Sequence, residues 1–435
     1  MKNEGVIKKR LRVCSKCDIQ KFGRCESNNK LVADFATYAN RCPEYRWPGD
    51  PERPEPQKKP EPPPEDTEGT LRTPHVPTKP EPRREDEAKE EAKERLPEII
   101  RRYGLNTEQA EQTKEELELI NQPIPRDLLK EAEPADIGRI AILTSYFNPE
   151  GYRRIRENYL RFREEMARYD VDLFIVELAF DHDPFEIEDS ELQIRGKRKE
   201  HKLWQKEQLL NLLIDKVPED YDAIGWFDCD ILFQNRDWTD GVRDTLSRYT
   251  WCQPYAGSWF TETDGSLTNL KHSMGWFLHH DPENFLHFGK AHPGFAWVGR
   301  ADWVRKNKLC PTNVTGGGDA LMVKAITERL LFIEQWMNPE WIDDVAVWAS
   351  QARASGGRHF GYVPGDVIHL YHGTRSKRKY RERWCYLTDH DYNPRTDIEV
   401  DPETQLLRWS EEAWRYKPEM IARVSNYFGE REEDD

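Results

Sequence analysis

From Ile137 onward, short uninterrupted apolar runs alternate with helically spaced stretches. Ile140 to Phe147 is one such run, closed by Asn148-Pro149, and it predicts a buried strand. Residues 152–169 place Ile155, Tyr159, Phe162 and Met166 on one stripe, which predicts a helix. Residues 171–180 predict a second strand. Residues 201–217 carry apolar Leu203, Leu209, Leu210, Leu213 and Ile214 before Pro218, and predict a second helix. Residues 221–233 predict a third strand. This alternation, with apolar strands, predicts an α/β fold: a Rossmann-like, mainly parallel sheet with helices on both faces.

Composition divides the rest. Residues 1–47 hold four of the eight cysteines and carry 11 basic against 5 acidic residues. Residues 48–97 form a Pro- and charge-rich stretch with 12 prolines in its first 35 positions, expected to be a disordered linker because it has too little apolar surface to offset chain entropy. Residues 98–136 are expected to form a helical brace, residues 137–392 the α/β domain, and residues 393–435 a helical extension with a frayed acidic tail from Glu430. Lys+Arg 65 against Asp+Glu 80 leaves a net charge of −15, which argues against a protein that coats nucleic acid with its whole surface. No apolar run reaches the ~18–20 residues of a membrane helix. With no apolar leader after Met1, a cytoplasmic chain without a membrane partner is expected.

Candidate chemistry begins at Asp228-Cys229-Asp230. Read as part of one strand, the two acids project to the same side, where they repel unless a cation or a proton neutralises them. Oxygen ligands at this spacing suit Mg²⁺ or Mn²⁺, and an isolated pair of this kind equally fits a turn or cap. His369 and His372 are candidate further ligands, because Mn²⁺ accepts imidazole. A basic run follows them (Arg375, Lys377, Arg378, Lys379, Arg381, Arg383) and reads as a solvated surface or as a phosphate clamp. Near the start, Cys14, Cys17, Cys25 and Cys42 supply four thiolates, expected to hold a structural Zn²⁺, with an iron–sulfur cluster as the other metal reading and free thiols as the plain one. The flanking Lys and Arg residues make this module a candidate for binding nucleic acid; a small structural knuckle or protein-binding tag is the alternative.

Together these features resemble the metal-dependent glycosyltransferases of the GT-A fold, over residues 137–392, and look most like bacterial and phage members whose acceptor is unassigned. The motifs that carry the resemblance are Thr144 to Pro149, Val176-Glu177, Leu203 to Asn211, Trp226 to Phe233, Gln253-Pro254, Pro293 to Arg300, Gly316 to Asp319 and His369 to Gly373. The resemblance implies transfer of a sugar from a nucleotide-sugar donor to an acceptor hydroxyl. Thr144, Tyr146, Asn148 and Glu177 would line the nucleotide pocket, with Glu177 set for a ribose or base contact. Asp228 and Asp230, completed by His369 or His372, would hold Mn²⁺ or Mg²⁺ against the donor diphosphate. Lys206 would reach the donor sugar or phosphates, and Asp319 would be the acceptor-side carboxylate. The family's usual Glu-Asp pair is Gly318-Asp319 here, and a helix N-cap is the bland reading of Asp319.

Two other function classes fit parts of the sequence. A haloacid-dehalogenase-like phosphohydrolase also opens with two spaced acids, although Ile231-Leu232 departs from its pattern. A non-catalytic adaptor would join the cysteine module to a decayed domain. For a transferase, the acceptor reads as a hydroxymethylated phage DNA base, reached through the amino-terminal module in a host cytoplasm, or as a glycan or protein.

Overall fold

The computed structural model describes residues 131–282, 291–327, 337–380 and 382–435, together with the backbone of three two-residue strands, Cys17–Asp18, Arg24–Cys25 and Lys30–Leu31. Those strands pair antiparallel, with Cys17 opposite Cys25. The side chains of Cys14, Cys17, Cys25 and Cys42, the linker, and the brace up to residue 130 lie outside the described residues. Residues 131–136 of the expected brace are irregular, and the amides of Ala132 and Ala135 donate to Arg248 and Ser247 carbonyls.

The α/β domain is built on strands β1 (Ile140–Phe147), β2 (Asp172–Phe180), β3 (Leu192–Gly196) and β4 (Ala223–Phe227), all mutually parallel. Helix α1 (Arg153–Met166) joins β1 to β2, and α2 (Lys206–Ile214) precedes β4. Alternation along β1 explains why its run is apolar throughout. Ala141 and Leu143 pack with Leu209, Leu210 and Leu213 of α2, whereas Ile140 and Ile142 pack with Phe162 and Met166 of α1. Helices therefore cover both faces of a mainly parallel sheet, as the alternation of elements predicts.

The third predicted strand is two strands. β4 stops at Phe227, residues 228–230 form a turn, and β5 (Ile231–Phe233) belongs to a different sheet. Later come α3 (Trp238–Arg248), β6 (Trp251–Gln253), β7 (Gly257–Thr261), β8 (Leu267–Ser273), β9 (Ala291–His292), β10 (Ala296–Arg300), α4 (Gly318–Ile326), β11 (Phe360–Tyr362) and β12 (Asp366–His369). The larger sheet runs β11-β6-β10-β4-β1-β2-β3, with β10 antiparallel to both neighbours; the smaller runs β9-β8-β7-β12-β5. A period-2 apolar pattern cannot register that the chain changes sheets part-way.

The second predicted helix begins at Lys206 rather than residue 201. Gln205 is its N-cap, and the Gln205 side-chain amide bonds the backbone of Leu407 in both directions, at 2.7 and 3.1 Å. The expected carboxy-terminal extension contains a hairpin, β13 (Ile398–Val400) with β14 (Leu407–Trp409), before helices α5 (Glu411–Tyr416) and α6 (Pro418–Glu430). Nor are residues 431–435 frayed: Glu433 is 1% exposed. Among the described residues no helix is long and apolar enough to cross a membrane.

Candidate metal and donor site

The turn from β4 to β5 places Asp228 and Asp230 where the chain leaves one sheet for the other. Asp228 is anchored by its amide, which donates to the Phe295 carbonyl at 2.7 Å. β12 runs antiparallel to β5 with His369 opposite Ile231, and the Leu370 amide donates to the Asp230 carbonyl at 2.7 Å. Sheet register thus carries His369 across more than a hundred residues of sequence to Asp230. His372 follows after one short loop. Asp230 Oδ2 stands 2.8 Å from His372 Nε2 and 3.5 Å from His369 Nε2, and the two Nε2 atoms are 3.1 Å apart.

These three side chains form a candidate cation site. Both imidazoles are buried, and Asp230 Oδ1 is buried with no hydrogen-bond partner. Burial pushes the Asp230 carboxyl up, but His369 and His372 outweigh it and hold the group well below the usual carboxylate range. Burial pushes His369 down to about 4, so its ring is neutral near pH 7. One carboxylate and two imidazoles converging on a point, with a carboxylate oxygen left over, is a donor set that fits Mn²⁺.

Asp228 does not join that group. Its Oδ1 is 2.7 Å from Lys206 Nζ, which also lies 2.9 Å from Asp319 Oδ2. The expectation that both acids share one face fails because they lie on a turn, where strand alternation does not apply. Burial raises the Asp228 carboxyl, with Asp230 and Asp319 adding to the rise against Lys206. Burial opposes the charge on Lys206, yet Asp228, Asp319 and Glu207 outweigh it and keep the ammonium protonated.

Asp319 sits in the first turn of α4 without capping it. The N-cap is Gly317, whose φ of +95° admits glycine far more readily than any other residue. The Asp319 carboxylate turns instead to Lys206 and accepts from Trp226 Nε1 at 3.4 Å. A Cβ on Gly318 would fall 2.2 Å from Glu207 Oε1, so a buried carboxylate from α2 fills the room that a side chain at 318 would need.

Beyond the carboxyl ends of β1 and β2 lies a cleft of about 260 Å³, lined by Tyr146, Asn148, Glu177, Asp183, Glu186 and Arg198 among others. Tyr146 Oη donates to Glu186 Oε2 at 2.5 Å. Asn148 fixes the Tyr152 backbone through two bonds of 2.9 Å. Glu177 faces the cleft, but its oxygens accept the amides of Glu186 and Ile187 at 2.5 and 3.0 Å, so it shapes the loop that walls the cleft. Thr144 is corrected: it is fully buried, and its hydroxyl donates to the Phe227 carbonyl at 2.9 Å, joining β1 to the end of β4.

Several residues beside the site escape sequence reasoning. Glu186 and Arg198 carry no local signal. Arg378 belongs to the basic run and directs its guanidinium at His372 Nε2. Of the same run, Lys377 and Lys379 pair with Glu432 and Glu430 at 2.5 and 2.7 Å.

No family model matches this chain, and no curated protein matches it. Among solved structures it is similar to the catalytic domain of Drosophila beta1,4-galactosyltransferase 7 in complex with xylobiose, at 13% identity, over 64% of this chain and 98% of that one, with a TM-score of 0.29. It is also similar to glucosyl-3-phosphoglycerate synthase from Mycobacterium tuberculosis in complex with Mn²⁺, UDP-glucose and phosphoglyceric acid, at 12% identity, over 62% and 86% of the two chains, with a TM-score of 0.31. A third is a glycosyltransferase involved in glycosylation of the major capsid of PBCV-1, at 12% identity, over 55% and 97%, with a TM-score of 0.24. Superpositions this loose carry no weight, and the chemistry rests on the residues above.

Proposed function

We propose that the chain is a metal-dependent glycosyltransferase of the GT-A kind, moving a sugar from a nucleotide diphosphate to an acceptor hydroxyl. The supporting observation is the convergence of Asp230, His369 and His372 on one point, in a domain whose parallel sheet also carries a cleft beyond the carboxyl ends of β1 and β2, where ligands of such sheets gather. Asp230, His369 and His372 would hold Mn²⁺ or Mg²⁺, which supplies Lewis-acid stabilisation of the departing diphosphate. The cleft, walled by Tyr146, Asn148, Glu177 and Glu186, takes the nucleoside. Arg378, next to His372, offers its guanidinium to a phosphate oxygen. On the other side of the turn, Asp319 takes the acceptor proton, and Lys206 holds that carboxylate and Asp228 in place.

For the acceptor, the two classes raised by the sequence, a hydroxymethylated DNA base and a glycan or protein hydroxyl, are separated by transfer assays on each. The donor site is tested by thermal shift with UDP-sugars, with and without Mn²⁺. Stabilisation should need both components and should vanish in Asp230→Asn. Equal stabilisation of that variant, or none in the wild type with any nucleotide sugar, would sink the assignment.

A further inference from the structure

Residues 431–435 are held from two sides. Asp434 accepts the amides of Arg153 and Arg154 at 3.1 and 2.8 Å, capping α1, whose own N-cap residue Tyr152 supplies no capping side chain. Tyr152 Oη donates to the Phe428 and Gly429 carbonyls at 3.1 and 2.8 Å. On the opposite side Glu432 pairs with Lys377. The segment also lies directly on Gly373, where a Cβ would come within 2.9 Å of the Glu432 carbonyl oxygen and 3.0 Å of Glu433 Cα.

This clamping delivers Glu433 to the proposed cation site. Glu433 Oε1 is 3.2 Å from His372 Nδ1, an electrostatic contact set off the hydrogen-bond axis, and Nδ1 has no hydrogen-bond partner elsewhere. The other ring nitrogen, Nε2, faces Asp230 and His369 and also takes the Arg378 guanidinium, which would have to turn aside, as toward a donor phosphate, for a cation to enter. Arg431 pairs with the same Glu433 carboxylate while its guanidinium lies 5.3 Å from the centre of the Trp204 ring, so the acid is itself held in orientation.

A neutral imidazole carries one ring proton. A carboxylate beside Nδ1 keeps the proton there, which leaves the Nε2 lone pair for a cation and fixes the ring's aim. We infer that Glu433 is a positioning residue for the metal: it orients His372 and selects its ligating tautomer without touching the ion. This inference rests on the reading of Asp230, His369 and His372 as a cation site, and it adds a component from an acidic run just over two hundred residues away from Asp230.

The test is Mn²⁺ affinity of the full chain, followed by electron paramagnetic resonance of free Mn²⁺, in wild type, Asp230→Asn, Glu433→Gln, Glu433→Asp and Asp434→Ala. Glu433→Gln should weaken Mn²⁺ binding by about 10- to 100-fold. Glu433→Asp should recover part of that loss. Asp434→Ala, which alters the same segment through the helix cap, should lower the melting temperature with Mn²⁺ affinity within about twofold of wild type. Wild-type affinity in folded Glu433→Gln, with binding still lost in Asp230→Asn, would overturn the role of Glu433 and leave the cation site standing. An equal loss in Asp434→Ala would also overturn it, because the effect would then belong to the segment rather than to the carboxylate. Wild-type protein that binds no Mn²⁺ would remove the cation site and this inference together.

Discussion

Glu207 lies among charges of both signs without sharing either ion pair of its neighbour Lys206. Burial pushes its carboxyl up from the ordinary 4.5 to about 7. Between those two values the folded chain keeps a proton that the unfolded chain releases, so stability falls as pH rises through that window. Glu207→Gln cannot ionise. It should melt at nearly the wild-type temperature at pH 5 and above it at pH 8, by on the order of 2 kcal/mol in stability. Parallel melting curves for the two proteins across that range would count against a protonated Glu207. At this scale the sequence revealed residue types better than their neighbours. Asp230, His369 and His372 could be named as candidate ligands from their residue types alone, and the fold brings the three together. Glu433 could not, because one acid in an acidic stretch looks like its neighbours until the fold buries it. Thr144 was placed in the pocket by the family resemblance, which says nothing of local packing; here its buried hydroxyl bonds a backbone carbonyl instead.

Among elements, apolar rhythm located β1, β2 and α1 to within a few residues, because each buries a continuous face. It failed at residues 221–233, where two strands of different sheets share one apolar run. It also placed the start of α2 too early, since Gln205 is the N-cap, its carbonyl accepting the Leu209 amide while its side chain holds the Leu407 backbone. The loop into α4 has two successive left-handed glycines, Gly316 at φ +84° and Gly317 at +95°. Gly317→Ala should cost about 1–2 kcal/mol in urea unfolding, because a Cβ is disfavoured there and would also meet Arg383 at 3.2 Å. Turnover should fall along with stability, since the same turn aims Asp319. A substitution that leaves both unchanged would mean that this loop adapts freely.

Over the whole chain, a net charge of −15 coexists with a basic first segment. If the four cysteines there hold zinc, purified full-length protein should contain about one zinc per chain, and replacing Cys17 and Cys25 by serine should abolish it. Metal analysis that finds none in the wild type, prepared without chelator, would discard that reading. The α/β domain has its own division. Asp228 hangs from the end of the larger sheet, beside Lys206 and Asp319, while Asp230 is backed by β5 and β12 of the smaller one. Cys229, between them, is a rivet joining two plates. Under the proposed function, any sliding of one plate against the other would widen or narrow the gap between Asp319, as proton acceptor, and the leaving group held at Asp230. If the proposed transfer is right, a three-residue bend would gauge the reach from acceptor oxygen to sugar carbon, and stiffening or loosening it would retune which sugars fit across it.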